Sequence, residues 1–231
     1  MKNLPKILAF NLLGIVLLAS WWLPVNHGFW FAIDKNIFYF FNHLLTESKW
    51  FLYLVALTNL RAFDAVAFIF MLLIFYSIYK KQDASGRRWM FCMGLAMLLS
   101  AVIAKQFDSS LPVTRPSPTN FFTDSNLVSQ LSGWPCKDRA GDSFPGDHGM
   151  MLLIFSGYML KYFGKIAFSK CMAVFIIFSL PRIMGGAHWF TDVAVGSVSI
   201  VFIVLSWLLL TPAADKFIGW LEKKVPLKYF L

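Results

Sequence analysis

The stretch Ser143-Phe-Pro-Gly-Asp-His148-Gly-Met150 and its distant partner Arg182-Ile-Met-Gly-Gly-Ala-His188-Trp-Phe-Thr-Asp192 decide how this chain is organised. Each contains one of the chain's four histidines, set beside glycines and next to a hydrophobic run. A third fragment, Thr114-Arg115-Pro116, lies upstream in a long polar segment. We expect these three fragments to meet in one site that handles phosphate, with the remaining sequence forming the frame that brings them together.

The composition of the 231 residues predicts a membrane protein. Hydrophobic residues make up 58% and charged residues 14%, whereas soluble proteins average about 45–50% and about 25%. The mean hydropathy is +0.63. A net charge of +9 could indicate a nucleic-acid partner, but the basic residues form short clusters between apolar runs, which is typical of membrane topology. We therefore expect one membrane-embedded domain over residues 1–231 and no nucleic-acid partner.

The apolar runs predict an all-α, polytopic fold with six transmembrane helices and additional interfacial helices. The first run could also be a cleaved signal peptide, but Trp21 and Trp22 stand where small residues are needed for cleavage, which favours a retained helix. Amphipathic helices are expected at residues 29–45 and from Asp215 onward, and a short helix ending near Leu60. The predicted spans are residues 7–25, 65–79, 89–104, 149–163, 166–184 and 193–210.

The distribution of charge predicts the orientation. With six spans, the termini and the segments 80–88 and 161–170 share one side, which carries 13 Lys and Arg against 3 Asp and Glu. The other side carries 8 against 9. Because basic residues concentrate in cytoplasmic loops, the termini are expected in the cytoplasm and the three fragments on the outer face. Residues 105–147 form a long polar segment there, and long loops in compact proteins are often functional.

His188 and Asp192 have the spacing of a histidine held by a carboxylate. They lie four residues apart, so they can share one face if a helix begins near Ala187. The carboxylate can then bind one ring N–H and leave the other nitrogen free as a nucleophile. A histidine capped at the start of an interfacial helix would give the same pattern.

Arg182 and His148 strengthen the interpretation of a catalytic site. Gly185 and Gly186 allow the chain to turn, so Arg182 can point back toward His188, although an arginine can also extend to lipid head groups. Guanidinium groups suit bidentate phosphate binding. His148 opens a span, where it can act as general acid and base, and the N–H of Gly146 can approach an anion, although Pro-Gly-Asp is also a common turn.

Zinc is the main chemical alternative. His148, His188 and Asp192 could supply the three protein ligands of a catalytic zinc ion. Two arginines beside a metal ion are unfavourable unless a phosphate joins them. We therefore expect no metal and no cofactor.

The three fragments together resemble the phosphatidic-acid phosphatase type 2 superfamily, whose pattern is Lys-x6-Arg-Pro, Pro-Ser-Gly-His and Ser-Arg-x5-His-x3-Asp. The third motif is present from Arg182 to Asp192, with Pro181 in place of serine. In the second motif, proline and histidine are kept, and Asp147 stands in place of glycine. The first motif keeps Arg115 and Pro116, but Asp108 occupies the lysine position and the nearest lysine is Lys105.

Further segments resemble one branch of this superfamily over nearly the whole chain. They are Pro24–Trp30, Ala56–Asn59, Ser143–Met151 and Gly186–Asp192. This resemblance implies transfer of a phosphoryl group from undecaprenyl pyrophosphate to the 1-phosphate of lipid A, on the periplasmic face of a bacterial inner membrane and among membrane lipids.

The same resemblance implies roles for the two histidines, Asp192, Arg115 and Arg182, and the positions of four other residues predict further contacts. His188 is the expected nucleophile, Asp192 its orienting partner and His148 the general acid and base. Phosphate is expected to contact Arg115, Arg182, Gly146 and Lys105. Two further cations of the outer polar segment, Lys137 and Arg139, are expected to contact the acceptor lipid.

Two other functions remain open at this point. The same site could hand phosphate to water, as an undecaprenyl pyrophosphate or phosphatidylglycerophosphate phosphatase. A transporter could also place charges along a substrate path. The charges of this chain, however, cluster at the ends of spans, which disfavours a transporter. The motifs do not separate transfer to lipid from transfer to water.

Overall fold

The computed structural model describes residues 3–231, which form α-helices, two short 3-10 turns and no strand in that range. The helices are α1 (Leu4–Trp22), α2 (Phe29–Glu47), α3 (Lys49–Thr58), α4 (Arg61–Tyr79), α5 (Ala84–Ser109), α6 (Pro118–Phe121), α7 (Val128–Ser132), α8 (Asp147–Met184), α9 (Val198–Leu210) and α10 (Ala213–Lys224). The residues Asp192–Ser197 have π-helical hydrogen bonding and lead directly into α9. The predicted all-α fold is confirmed.

Five helical segments of the described chain are long and apolar enough to cross a membrane. One of them, α8, has 38 residues, and a straight helix of that length would measure about 57 Å. Its two ends nevertheless lie close together, as two contacts show: His148 at the start and Arg182 near the end both contact Asp64. The chain doubles back at Gly164, where φ is +81°, a backbone conformation that favours glycine. This hairpin is consistent with the predicted fourth and fifth spans.

The ends of the long helices converge on one face of the bundle. Trp21 at the end of α1 stacks on Phe144 with ring centroids 4.2 Å apart. Lys105 near the end of α5 binds Asp147 at the start of α8 with a 2.9 Å contact. The amide of Gly146, just before α8, donates to the Asp192 carbonyl at 2.9 Å. The functional motifs therefore meet at this face.

Helices α2, α3, α6 and α7 cover that face. Asn42 of α2 exchanges hydrogen bonds with Asn126, the side-chain amide donating to the Asn126 carbonyl at 2.8 Å. Asn59, which ends α3, is fully buried and donates to the Pro181 carbonyl at 2.8 Å. These buried polar contacts join the cover to the ends of the long helices.

The apolar core lies between α5, α8, α9 and α10. It includes the buried side chains of Met93, Met150, Ile154, Ile200 and Ile218. The first helix packs along α9, where the Asn11 amide donates to the Ser206 hydroxyl at 2.8 Å. In water, burial of apolar surface contributes about 25 cal/mol per Å². Where the helices face lipid this driving force is absent, and close packing between helices stabilises the bundle instead.

Several boundaries differ from the predicted ones. Helix α5 continues through Ser109, five residues beyond the predicted end of the third span, so Lys105 lies on a helix and not in a loop. Between the predicted fourth and fifth spans, only Gly164 leaves the helical conformation. The helical segment that ends with α9 starts before Asp192. In each case an apolar helix extends past the polar residues that suggested its end.

Candidate active site

The ring of His188 is held in one tautomer by the second motif. Its Nδ1 lies 2.8 Å from the Ser143 carbonyl oxygen and 3.3 Å from Asp192 Oδ2. A carbonyl oxygen only accepts hydrogen bonds, so Nδ1 carries the proton. The other nitrogen, Nε2, is then unprotonated in the neutral ring and can act as a nucleophile. The predicted pair of His188 and Asp192 therefore forms, with a main-chain carbonyl as the closer partner.

A sharp turn places His188 before the helix and not on it. Gly186 has φ +74°, and a side chain there would meet Thr119 at 2.6 Å. The glycine turn predicted between Arg182 and His188 therefore forms. Asp192 also accepts from the Trp189 amide at 2.8 Å, which fixes the carboxylate below the imidazole.

Arg115 lies in a buried network behind His188. Its Nη1 donates to Asp192 Oδ1 at 3.0 Å and to the Thr191 hydroxyl at 2.8 Å, and its Nη2 binds Asp34 at 2.8 Å. The guanidinium lies 4.3 Å from the centre of the Trp189 ring. Arg115 is only 6% exposed. In this conformation it is bound to two carboxylates, and its predicted contact with phosphate stays a prediction.

Asp34 completes the network from helix α2. It accepts from the Thr191 amide at 3.0 Å and from the Thr191 hydroxyl at 2.6 Å. Burial raises the pKa of the Asp34 carboxyl, while the Arg115 guanidinium and the Thr191 donors act against that shift. Moving any one of these charged side chains out of the network leaves a buried charge without its partner. We therefore expect the network to be rigid.

The second histidine belongs to a more open group on the other side of the site. His148 Nε2 lies 3.4 Å from Asp64 Oδ2, and the two side chains are 40% and 35% exposed. The other oxygen of Asp64 binds Nη2 of Arg182, which is 3% exposed. Arg182 Nη1 also lies 3.4 Å from the Asn59 side-chain oxygen. A single carboxylate thus links the predicted general acid to a predicted phosphate-binding arginine.

Lys105 joins the two carboxylates that depart from the family pattern. Its Nζ lies 2.8 Å from Asp108 and 2.9 Å from Asp147. Lys105 and Asp147 are each 52% exposed, whereas Asp108 is nearly buried. The cation absent from the first motif is therefore supplied one helical turn earlier, but in this conformation it is bound to carboxylates.

One predicted contact does not form as expected. The amide of Gly146 donates to the Asp192 carbonyl, so it is not available to an anion in this conformation. The Ser197 hydroxyl donates to the Gly146 carbonyl at 2.7 Å, and a side chain at residue 146 would meet Val193 at 3.0 Å. Gly146 is needed because the second motif packs closely against the π-helical segment.

Lys137 and Arg139 lie in the polar segment beside the start of α4. The Lys137 amide donates to the Asn59 carbonyl at 2.9 Å. Both side chains line an open groove together with Arg61. Their predicted contact with an acceptor lipid stays a prediction.

Sequence reasoning missed four residues of this arrangement, namely Asp34, Asn59, Asp64 and Thr191. In the sequence, Asp34, Asn59 and Asp64 stand out as polar residues that interrupt apolar segments, and they served only to set the limits of the predicted helices. A polar side chain in an otherwise apolar segment of a membrane protein is by default a functional hypothesis. Their partners are far away in sequence and could not be identified from spacing.

No cluster of three or more His, Cys, Asp or Glu side chains within residues 3–231 is arranged to hold a metal ion. The positive charges near the two histidines come from arginine and lysine. A guanidinium can stabilise a phosphoryl group by charge and by paired hydrogen bonds. The arrangement can thus perform nucleophilic and acid–base chemistry on phosphate with its own side chains, and independence from metal stays a prediction.

Comparison with known proteins agrees with the motifs. Residues 88–215 match the family model of the PAP2 superfamily. The chain is also similar to the lipid A 1-diphosphate synthase of Escherichia coli (strain K12), with 53% identity over 226 residues that cover 97% of this chain and 95% of that protein. No solved structure matches. The family model spans more than half of the chain and the relative spans nearly all of it, so this chain belongs to the PAP2 superfamily.

Proposed function

We propose that this protein transfers a phosphoryl group from undecaprenyl pyrophosphate to the 1-phosphate of lipid A. The observation that carries the proposal is the fixed tautomer of His188, whose Nδ1 is 2.8 Å from the Ser143 carbonyl. It is supported by the 53% identity with a lipid A 1-diphosphate synthase. The reaction is proposed to take place at the periplasmic face of the inner membrane, with both termini in the cytoplasm.

In the first half-reaction, Nε2 of His188 attacks the terminal phosphorus of the donor. A P–N bond forms, and the P–O bond to undecaprenyl phosphate breaks. His148 protonates the leaving oxygen, and Asp64 stabilises the protonated imidazole at 3.4 Å. Asp192 and the Ser143 carbonyl hold the His188 ring as it becomes positively charged.

In the second half-reaction, an oxygen of the lipid A 1-phosphate attacks the phosphohistidine. The new P–O bond forms as the P–N bond breaks, and His148 accepts any proton that the acceptor loses. The products are lipid A 1-diphosphate and free His188. Fixed cations stabilise the charge that spreads over the phosphoryl oxygens in each step.

The cations have different proposed tasks. Arg182 contacts the Asp64 carboxylate, which also contacts His148. Lys105 binds Asp147, the residue that precedes His148. When Arg182 or Lys105 binds phosphate, the phosphate replaces a carboxylate that the cation contacts in this structure. Arg115 is buried against Asp34 and Asp192 and is proposed to position Asp192, and through it His188.

The test uses purified protein in micelles with undecaprenyl pyrophosphate that carries label in its terminal phosphate. Label is expected on lipid A as a 1-diphosphate, formed faster than free phosphate. The variant His43→Ala is a matched control, because His43 is an exposed histidine outside the site. Label that emerges as inorganic phosphate at the same rate with and without lipid A would identify a phosphatase and overturn the transferase proposal.

A further inference from the structure

A basic groove lies beside the start of α4 and outside the histidine site. Its volume is about 590 Å³, which is within the range of small-molecule sites. One wall is formed by residues 60–62 and the other by residues 135–139. An isolated antiparallel bridge between Leu60 and Cys136 and the hydrogen bond from the Lys137 amide to the Asn59 carbonyl hold the walls together.

Three cations line this groove, namely Arg61, Lys137 and Arg139. None of the three is within ion-pair distance of a carboxylate in the part of the chain that the structure describes. Asp138 also lines the groove, but its carboxylate accepts from the Ser129 amide at 2.7 Å and the residue is 4% exposed. The groove therefore presents an excess of positive charge that no protein group neutralises.

The groove and the histidine site share the first turn of α4. Arg61 lines the groove, and Asp64, three residues later, contacts His148 at 3.4 Å. The Asn59 carbonyl accepts from the Lys137 amide and lies 3.5 Å from Arg182 Nη1. Arg61 in the groove is therefore about one helical turn from Asp64, the carboxylate that contacts His148.

A second pocket, beside His148, differs from the groove in its lining. It has a volume of about 160 Å³ and is lined by Asp64, Asp147 and His148 at its polar end. The remainder is apolar, with Phe63, Phe68, Met71 and Phe178 among its lining residues. The apolar part of that pocket suits a hydrocarbon chain beside His148, whereas the basic groove suits a large, charged head group.

Resting on the proposed phosphotransfer, we propose that the basic groove binds the phosphorylated sugar head group of the acceptor lipid, and that Arg61 is a specificity residue for it. Arg61, Lys137 and Arg139 hold the acceptor's head group on one side of α4, and its 1-phosphate extends from there to the phosphohistidine. The groove is larger and carries more charge than the head group of a glycerophospholipid requires. The acceptor is thereby distinguished from the bulk acidic lipids of the membrane.

The test measures the apparent KM for lipid A and for the donor in Arg61→Glu, Lys137→Glu and Arg139→Glu. Each reversal is expected to raise the KM for lipid A about tenfold or more, because a hydrogen bond to a charged group is lost, and to change the donor KM far less. Lys49→Glu is the matched control, since Lys49 is exposed on α3 and does not line the groove. Thermal melting of each variant, together with the milder substitution Arg61→Gln, shows whether a raised KM results from loss of fold.

Each outcome decides one of the two proposals. If the three variants match Lys49→Glu while lipid A is still phosphorylated, the groove does not bind the acceptor and the proposed function stands. If wild-type protein never phosphorylates lipid A, the proposed function is wrong, and binding of lipid A to His188→Ala protein then tests the groove directly. Binding that Arg61→Glu leaves intact overturns the inference, and so does equal competition by phosphatidylglycerol.

Discussion

The two histidines occupy contrasting surroundings. His188 is 12% exposed, and its partner Asp192 is fully buried and bound to an arginine that also binds Asp34. His148 is 40% exposed, and its partner Asp64 is 35% exposed. A nucleophile gains from a fixed ring and a single tautomer, whereas an acid and base must reach two different lipids in turn. The rigid half of the site, His188 with Asp192 and Arg115, thus suits bond formation. The open half, His148 with Asp64, suits proton transfer.

Replacing His188 is expected to have the largest effect. His188→Ala removes the nitrogen that we propose forms the P–N bond, so phosphotransfer is expected to fall by at least about 10⁴-fold. The measurement is label transfer to lipid A, with His43→Ala as the control. When lipid A is withheld, acid-labile and base-stable label from the donor is expected on the parent protein and not on His188→Ala. Near-normal turnover by His188→Ala would remove the distinction between the two halves.

Removing Arg115 is expected to cost mainly stability. Arg115→Ala leaves Asp34 and Asp192 buried without their cation, and breaking a buried pair typically costs about 3–5 kcal/mol. The expected result is a large fall in Tm in detergent together with lower activity. If Arg115→Ala folds as stably as the parent and loses only phosphate affinity, Arg115 contacts the substrate directly and the rigid half extends into the phosphate site.

Asp64→Asn tests the open half. The substitution keeps the shape but removes the charge 3.4 Å from His148, so the protonated imidazole is less stabilised. We expect the rate to fall about 10²-fold, the size typical of an acid–base contribution, and the alkaline limb of the pH–rate profile to move to lower pH. Asp124→Asn, which changes a carboxylate bound to Tyr39 on the cover, is the control. An unshifted profile with a lowered rate would indicate that Asp64 serves only to hold Arg182.

Lys105→Ala is expected to have a small effect on stability, because Lys105 and its partner Asp147 are half-exposed, although Asp108 is nearly buried. Such pairs contribute about 1 kcal/mol or less. A rate loss of about 10²-fold at unchanged Tm would show that Lys105 binds phosphate during the reaction, as the first motif predicts. A loss below about threefold would limit Lys105 to neutralising Asp108 and Asp147.

Removal of divalent metal ions is expected to have the smallest effect. Arginine and lysine already supply positive charge beside both histidines, so EDTA is expected to leave the rate of transfer within about twofold of the untreated enzyme. The measurement repeats the label assay after dialysis against the chelator. Activity that disappears and returns with added zinc would place the site in the metal-dependent class.

The cover over the site was the part of the fold hardest to predict. Periodicity indicated a helix at residues 29–45, and α2 confirms it. It could not indicate that Asp34 points to Arg115, 81 residues away. Contacts of this separation depend on which helix faces meet, and hydropathy does not encode that.

The sequence by itself determined the helical class, the approximate positions of the spans and the two histidines, because bilayer thickness and the chemistry of phosphate leave few alternatives. Spacing of four residues also sufficed to pair His188 with Asp192. Tertiary structure alone decided the remaining partners. Asp34, Asp64 and the Ser143 carbonyl come from other segments, and the two ends of α8 lie together because that helix doubles back at Gly164. Charges that must leave water during folding need partners, and where those partners stand depends on packing.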